Sequence, residues 1–528
     1  MDRPSTTKSY RSAVCSTQGM CATSQPLATL SGIEVLRNGG SAADAAICML
    51  NTLTVVEPHM NGLGGDMFGL YFDSTTNELV GLNSSGSAPA GLNIEMVLSA
   101  GGKQMPTNGP LTITVPGALG GLVAFHQKYG KLSWEDLFHR AIEYAEGGFP
   151  VTEIISYQWN SVADFLQDQE KTAEFYLPYG RAPRLGEIFI NRSLAKTLSM
   201  VAKKGSDTFY HGKLAKKICQ AMADCGSPLS VQDLANFTPE WVTPMGVNYM
   251  GHDVYELPPN CQGVTVLAML RAIEEFDLKG MGLNSSAYIH TLVEAKKFSY
   301  SDRDTKLGDP RFTNNDCSYF FSDERIASFR KTFDPQCASN LGSPDKGTDT
   351  VYVVAVDKDR NVASFISSIF EYFGSGIVAG DTGIIMQNRG SLFSLDRENA
   401  NCLEPGKRPL HTIIPAMVLK DGRPQFAFGV MGGHMQPQGH VQIMNNIYAF
   451  GLGVQEASDQ PRFFHNGIEL CLESAIPYKT RRELIERGHK VGDQVDVYGG
   501  FQGIMIDHSN GVLIGGSDMR KDGCAIGY

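Results

Sequence analysis

The chain has 528 residues, of which 42% are apolar and 19% charged, with a formal charge of −11. That length exceeds what one core usually serves, so two domains, or two large subunits of one body, are expected, and the composition excludes a disordered or collagen-like chain. The acidic balance argues against a surface built for phosphates and so against nucleic-acid partners; a small-molecule substrate fits better.

Residues 1–16 are polar, without the apolar run of a signal peptide, and no later stretch is apolar for the length of a membrane span. A cytoplasmic protein with no membrane contact is the expectation, with its first dozen residues disordered. Eleven cysteines, an odd total without a Cys-x-x-Cys pair, read as reduced and mostly packed thiols.

In chain order, Ser41 is placed to cap an almost wholly apolar helix over residues 41–50, which predicts burial all round. Residues 134–144, 213–223 and 285–297 carry the mixed periodicity of helices that cover a core. A polar, turn-rich stretch, 340–350, marks the strongest boundary. Beyond it come three hairpin patterns: 351–356 with 362–369, 413–419 with 425–430, and 504–506 with 512–514. The reading is helices first and an antiparallel sheet second, layered as an α/β sandwich with helices outside.

No His-Glu-x-x-His, P-loop, Gly-x-Ser-x-Gly or complete Gly-x-Gly-x-x-Gly is present. His434 and His440 share a loop with no third ligand nearby, so neither a metal nor a cofactor is expected. If the turn at 357–361 is centred near residue 359, antiparallel pairing sets Thr350 opposite Ser368, two hydroxyls at the open end of a hairpin.

Seven stretches then carry a family likeness: residues 39–46 (GGSAADAA), 57–66 (EPHMNGLGGD), 115–121 (VPGALGG), 347–350 (GTDT), 373–380 (FGSGIVAG), 405–410 (PGKRPL) and 430–433 (VMGG). In this order and over nearly the whole chain they resemble a γ-glutamyltransferase-family proenzyme. The resemblance implies a four-layer αββα fold of the N-terminal-nucleophile type and cleavage between Asp349 and Thr350. A helix-rich large subunit, 1–349, and a β-rich small subunit, 350–528, would together form one body. It further implies Thr350 as nucleophile, Ser368 as its neighbour, and the N–H groups of Gly432 and Gly433 as the oxyanion site.

The substrate pocket departs from the family pattern. Ser85 stands where the family's arginine should fall, Arg389 and Leu392 where it has glutamine and aspartate, His411 and Thr412 in place of paired serines, and Phe370 in place of asparagine. With the aspartate lost at Leu392 and a cation gained at Arg389, the pocket favours a carboxylate over an ammonium group. The 387–390 and 411–415 signatures are more similar to the family's glutathione hydrolase-like and oxamate amidohydrolase branch than to true transpeptidases. The expected activity is hydrolysis, with possible acyl transfer, of a γ-glutamyl or related carboxylate-bearing amide. Two other readings stay open: a processed but catalytically weak binding homologue, and a metal- or serine-dependent hydrolase that does not use Thr350.

Overall fold

The structure, a computed structural model, describes residues 11–314, 316–340, 350–492 and 494–528; Asp349 and the first ten residues lie outside them. Fourteen strands form two seven-stranded sheets. Seven precede residue 350: β1 (Val14–Ser16), β2 (Met20–Thr23), β3 (Asp66–Asp73), β4 (Glu78–Ser84), β5 (Glu240–Val242), β6 (Met245–Tyr249) and β7 (His252–Glu256). Seven follow it: β8 (Val351–Val356), β9 (Val362–Ser368), β10 (Ala416–Lys420), β11 (Arg423–Met431), β12 (Gly500–Asp507), β13 (Val512–Ser517) and β14 (Cys524–Gly527). The first sheet runs β14-β2-β8-β9-β3-β4-β5 and the second β1-β13-β12-β11-β10-β7-β6, with antiparallel neighbours throughout.

The expected order of helices first and sheet second is therefore corrected, since each sheet draws strands from both sides of residue 350. Strands such as β3, buried along almost its whole length, carry no polar alternation to announce them. The hairpin expectation holds: Val351 pairs Ser367 and Val356 pairs Val362, the register that the turn at 357–361 imposes. In the second hairpin the turn is tighter than expected. Lys420 pairs Arg423 across Asp421–Gly422, whose φ values of 52° and 73° are those of a two-residue turn that matches strand twist.

Side-chain alternation sets the layers. Val351 and Val353 pack into a core with helices α1 (Pro26–Arg37), α2 (Ala42–Val56) and α3 (Ala118–Tyr129), whereas Tyr352 and Val354 join Phe426 and Phe428 of the facing sheet. The second sheet alternates likewise. A side chain at Gly429 would meet Tyr352 across the interface, and the next residue, Val430, lies against Gly439 of α6 (Met435–Met444). All of α2 is buried, and Ser41 and Asp44 form a capping box at its start. The helix expected over 285–297 continues to Lys306 as α5 (Ser286–Lys306), and 134–144 divides into a 3-10 turn, Glu135–Phe138, and a helix, α4 (His139–Gly147). Among the described residues no helix is long and apolar enough to cross a membrane.

Candidate active site

Thr350 heads β8 with its side chain almost wholly buried. The ladder ends at Val351 and Ser367, so the next pair outward is Thr350 with Ser368. By strand parity both share the side of Tyr352 and Ile366, towards the other sheet. Gln436, on the first turn of α6, reaches Thr350 from there, its Nε2 donating to Oγ1 at 3.4 Å. The Gln436 amide is itself oriented by the Ile414 N–H, which donates to Oε1 at 2.9 Å. Ser368 Oγ accepts the Phe370 N–H at 2.8 Å, and Phe370 bends away with φ of 82°.

Strand β11 runs out into Gly432 and Gly433, with φ of 119° and 57°. A Cβ on Gly432 would sit 3.0 Å from Gly499 Cα, so the close passage of two backbones requires glycine here. The Gly432 carbonyl accepts the Met435 N–H at 2.9 Å. Because C=O and N–H of one trans peptide point opposite ways, that bond turns the Gly433 N–H outward. From behind, Gln262 Nε2 donates to the carbonyls of Gly433 and Thr412 at 3.0 and 2.7 Å. Arg303 in turn donates to Gln262 Oε1 and to His434 Nδ1, each at 3.0 Å. The glycine pair is thus braced by Gln262 and, behind it, Arg303, and Gly432 forms part of the wall of a cleft of about 660 Å³.

Arg389, His411 and Thr412 come together as the sequence suggests. Arg389 is fully buried, donates from Nη1 to Thr412 Oγ1 at 2.7 Å, and lies 4.3 Å over the Phe370 ring. Its Nε and Nη2 have no hydrogen-bond partner among the described residues. Burial pulls its pKa down to about 9 against the opposing pull of Asp66 and Glu371. Asp66 accepts the N–H groups of Gly86 and Gly117, both at 3.0 Å, yet burial pushes its carboxyl up to about 7. His411 Nε2 lies 3.1 Å from Asp66; burial first, and then the Arg389 charge, hold the imidazole well below its ordinary range. A buried cation with two unused donors is a ready acceptor site for an anion. Phe370 and Leu392 line a second cleft of about 290 Å³ beside it, together with Arg303 and His434. Ser85 is absorbed in a buried cluster, donating to Asn83 at 2.7 Å and accepting from Asn260 at 3.2 Å.

A family profile described as gamma-glutamyltranspeptidase matches residues 28–528. The chain belongs to the gamma-glutamyltranspeptidase family. It is 37% identical to the glutathione hydrolase-like YwrD proenzyme of Bacillus subtilis (strain 168), over 98% of this chain and 99% of that one. It is 35% identical to the oxamate amidohydrolase proenzyme of Klebsiella pneumoniae subsp. pneumoniae, over 97% and 99% respectively. Among solved structures, cephalosporin acylase from Bacillus halodurans superposes with a TM-score of 0.93 at 38% identity, covering 100% of this chain and 99% of that one.

Within this family member several site residues had no signal in the linear pattern. Gln436, Gln262 and Arg303 act through contacts with residues 41–171 positions away, and polar residues on apolar helices read as ordinary surface. Of the histidines weighed as metal ligands, His434 accepts from Arg303 and His440 is held 2.8 Å from Glu256. Among the described residues one trio, His290, Glu294 and His489, has donor atoms close enough to share an ion. Those atoms are already engaged: the two imidazoles bond each other at 2.8 Å, and Glu294 pairs with Lys297 at 2.8 Å. A cation there would have to displace the Lys297 ammonium, so the trio fits a structural tie better than a metal centre.

Proposed function

We propose that this family member is a self-processing amidase of the N-terminal-nucleophile type, with an αββα sandwich built from an N-terminal piece, 1–349, and a C-terminal piece that begins at Thr350. What carries the reading is the position of Thr350: immediately ahead of a central strand, one step outward from the Val351–Ser367 pair and so opposite Ser368, and touched by the helix that follows Gly432 and Gly433. In the precursor the Thr350 hydroxyl attacks the carbonyl of Asp349, an N-to-O acyl shift, and hydrolysis of the ester frees the Thr350 amine. That amine, of intrinsic pKa about 8, then serves as base for its own hydroxyl. A substrate amide is attacked to give an acyl ester on Thr350, and water, or an acceptor amine, resolves it. The N–H groups of Gly432 and Gly433 stabilise the oxyanion.

The acyl half is read as carboxylate-bearing, because Arg389 offers two unused donors beside Thr412. Relatives are named for glutathione, for oxamate and as a cephalosporin acylase, and the exchange of an ammonium clamp for Phe370, Arg389 and Leu392 points away from an α-amino acid. That same exchange favours one second reading, a processed homologue that binds but turns over slowly.

Denaturing gel analysis tests the central claim. Fragments of 349 residues and of the remaining 179 of 528 are expected, with threonine at the new N-terminus by end sequencing. Thr350→Ala is expected to leave one intact, inactive chain. An intact wild-type chain that hydrolyses amides would overturn the mechanism; cleaved protein without turnover would select the second reading.

A further inference from the structure

The glycine pair and His434 next to it border two unlike clefts, and the larger is lined by neither Arg389 nor Thr412. It lies between helix Glu153–Ser161 and the 494–499 segment and reaches Gly432 at one end. Phe165, Tyr372, Val495 and Val497 give it apolar walls, and Val495 is 71% exposed, an apolar side chain left in water for want of a partner. Its described lining residues include two acids, Asp496 and Glu371, the latter accepting from Asn388 at 3.3 Å and lying in the field of Arg389, and no lysine, arginine or histidine. Asp496 accepts the Tyr157 hydroxyl at 2.6 Å, a bond that ties the two walls together across the opening.

We propose that this cleft receives the amine half of the amide and selects apolar, uncharged or cationic amines over amines that carry a carboxylate. The inference rests on the amidase reading above and deepens it. With the acyl half held at Arg389, the scissile carbon sits at Gly432 and Gly433, and the departing amine faces the cleft that Gly432 adjoins. Apolar walls favour an aryl or alkyl group through burial, and two carboxylates in the lining disfavour a third by about tenfold. The leaving amine of a peptide-like substrate such as glutathione, which ends in a carboxylate, is then the disfavoured kind.

The test keeps one acyl group, glutaryl, on the processed protein and varies the amine. kcat/KM is read for glutaramate, the anilide, the 4-carboxamidoanilide and the 4-carboxyanilide. The carboxamide should exceed the carboxylate by about tenfold, and the ratio should fall towards one in the double variant Glu371→Gln, Asp496→Asn, which keeps shape and hydrogen bonding. Phe165→Ala should lower the anilide-to-glutaramate ratio by about tenfold. A parent ratio near one, or a ratio that the double variant does not move, overturns the proposal. Titration of the free amines 4-aminobenzamide and 4-aminobenzoate into the processed protein keeps the two layers apart. If no glutaryl amide is cleaved, the amidase reading has failed; the cleft assignment still stands if the amide binds about tenfold tighter than the acid, and falls if they bind alike.

Discussion

The corner that would perform the reaction and the pocket that would choose the acyl group meet at Thr412 and Phe370, yet they are built differently. Around Thr350 and the glycine pair the frame is backbone, a strand register and two glycines at positive φ, with the side-chain amides of Gln262 and Gln436 and the first turn of α6 tying off its polar groups. Around Arg389 the positions are set by side chains, and some of their valences are open. The contrast teaches that the first region is fixed by the fold and changes only with it, whereas the second can be retuned by a few substitutions without disturbing a strand. Relatives that share the fold over nearly their whole length but are named for glutathione, oxamate and cephalosporin fit that division.

The sharpest way to break the contrast is to disturb the backbone corner alone. Gly432→Ala places a Cβ against Gly499 at a φ of 119° and should cost about 100–1,000-fold in kcat/KM for every amide alike. A loss confined to some substrates would mean that the glycine shapes a pocket and does not serve an oxyanion. Next comes the side-chain region. Arg389→Gln should lower kcat/KM for carboxylate-bearing acyl groups by about 10–100-fold, the worth of a charge-assisted hydrogen bond, and spare neutral acyl amides of the same length. Equal losses on both would assign Arg389 to folding.

The smallest effect concerns the frame behind the corner. Burial holds His489 down to about 3 and lowers its partner His290 as well, so both take up a proton less readily in the folded protein than in the unfolded chain. Groups with depressed pKa contribute stability that is complete above their ordinary value near 6.5 and drains away as pH falls towards 3. Denaturant unfolding followed from pH 7 to 4 should show this loss, and His489→Gln should reduce the slope by up to about 1.4 kcal/mol per pH unit. An unchanged slope would place the acid sensitivity elsewhere.

Local features of the sequence were the legible ones. The cap at Ser41, the hairpin that sets Thr350 against Ser368, and the glycine pair after Val430 each rest on neighbours within a turn or a strand. So did the grouping of Arg389 with Thr412, because the departures from the family pattern pointed at one pocket. What stayed hidden depends on distant partners: Asp66 beside His411, Gln262 behind Gly433, Arg303 behind Gln262. Strand β3 was missed for a related reason, since a strand covered on both faces loses the polar alternation by which strands are recognised.

The weaving of strands across residue 350 has a topological outcome. β8 lies between β2 and β9, β9 pairs β3, and the C-terminal β14 pairs β2, with Tyr528 bonded back to Gly19. Severing the chain ahead of Thr350 therefore yields two polypeptides but a single body, interlaced like the fingers of two hands. Neither piece can leave without unravelling both sheets, so an irreversible chemical step can create a new chain terminus in the middle of the protein at no cost in integrity.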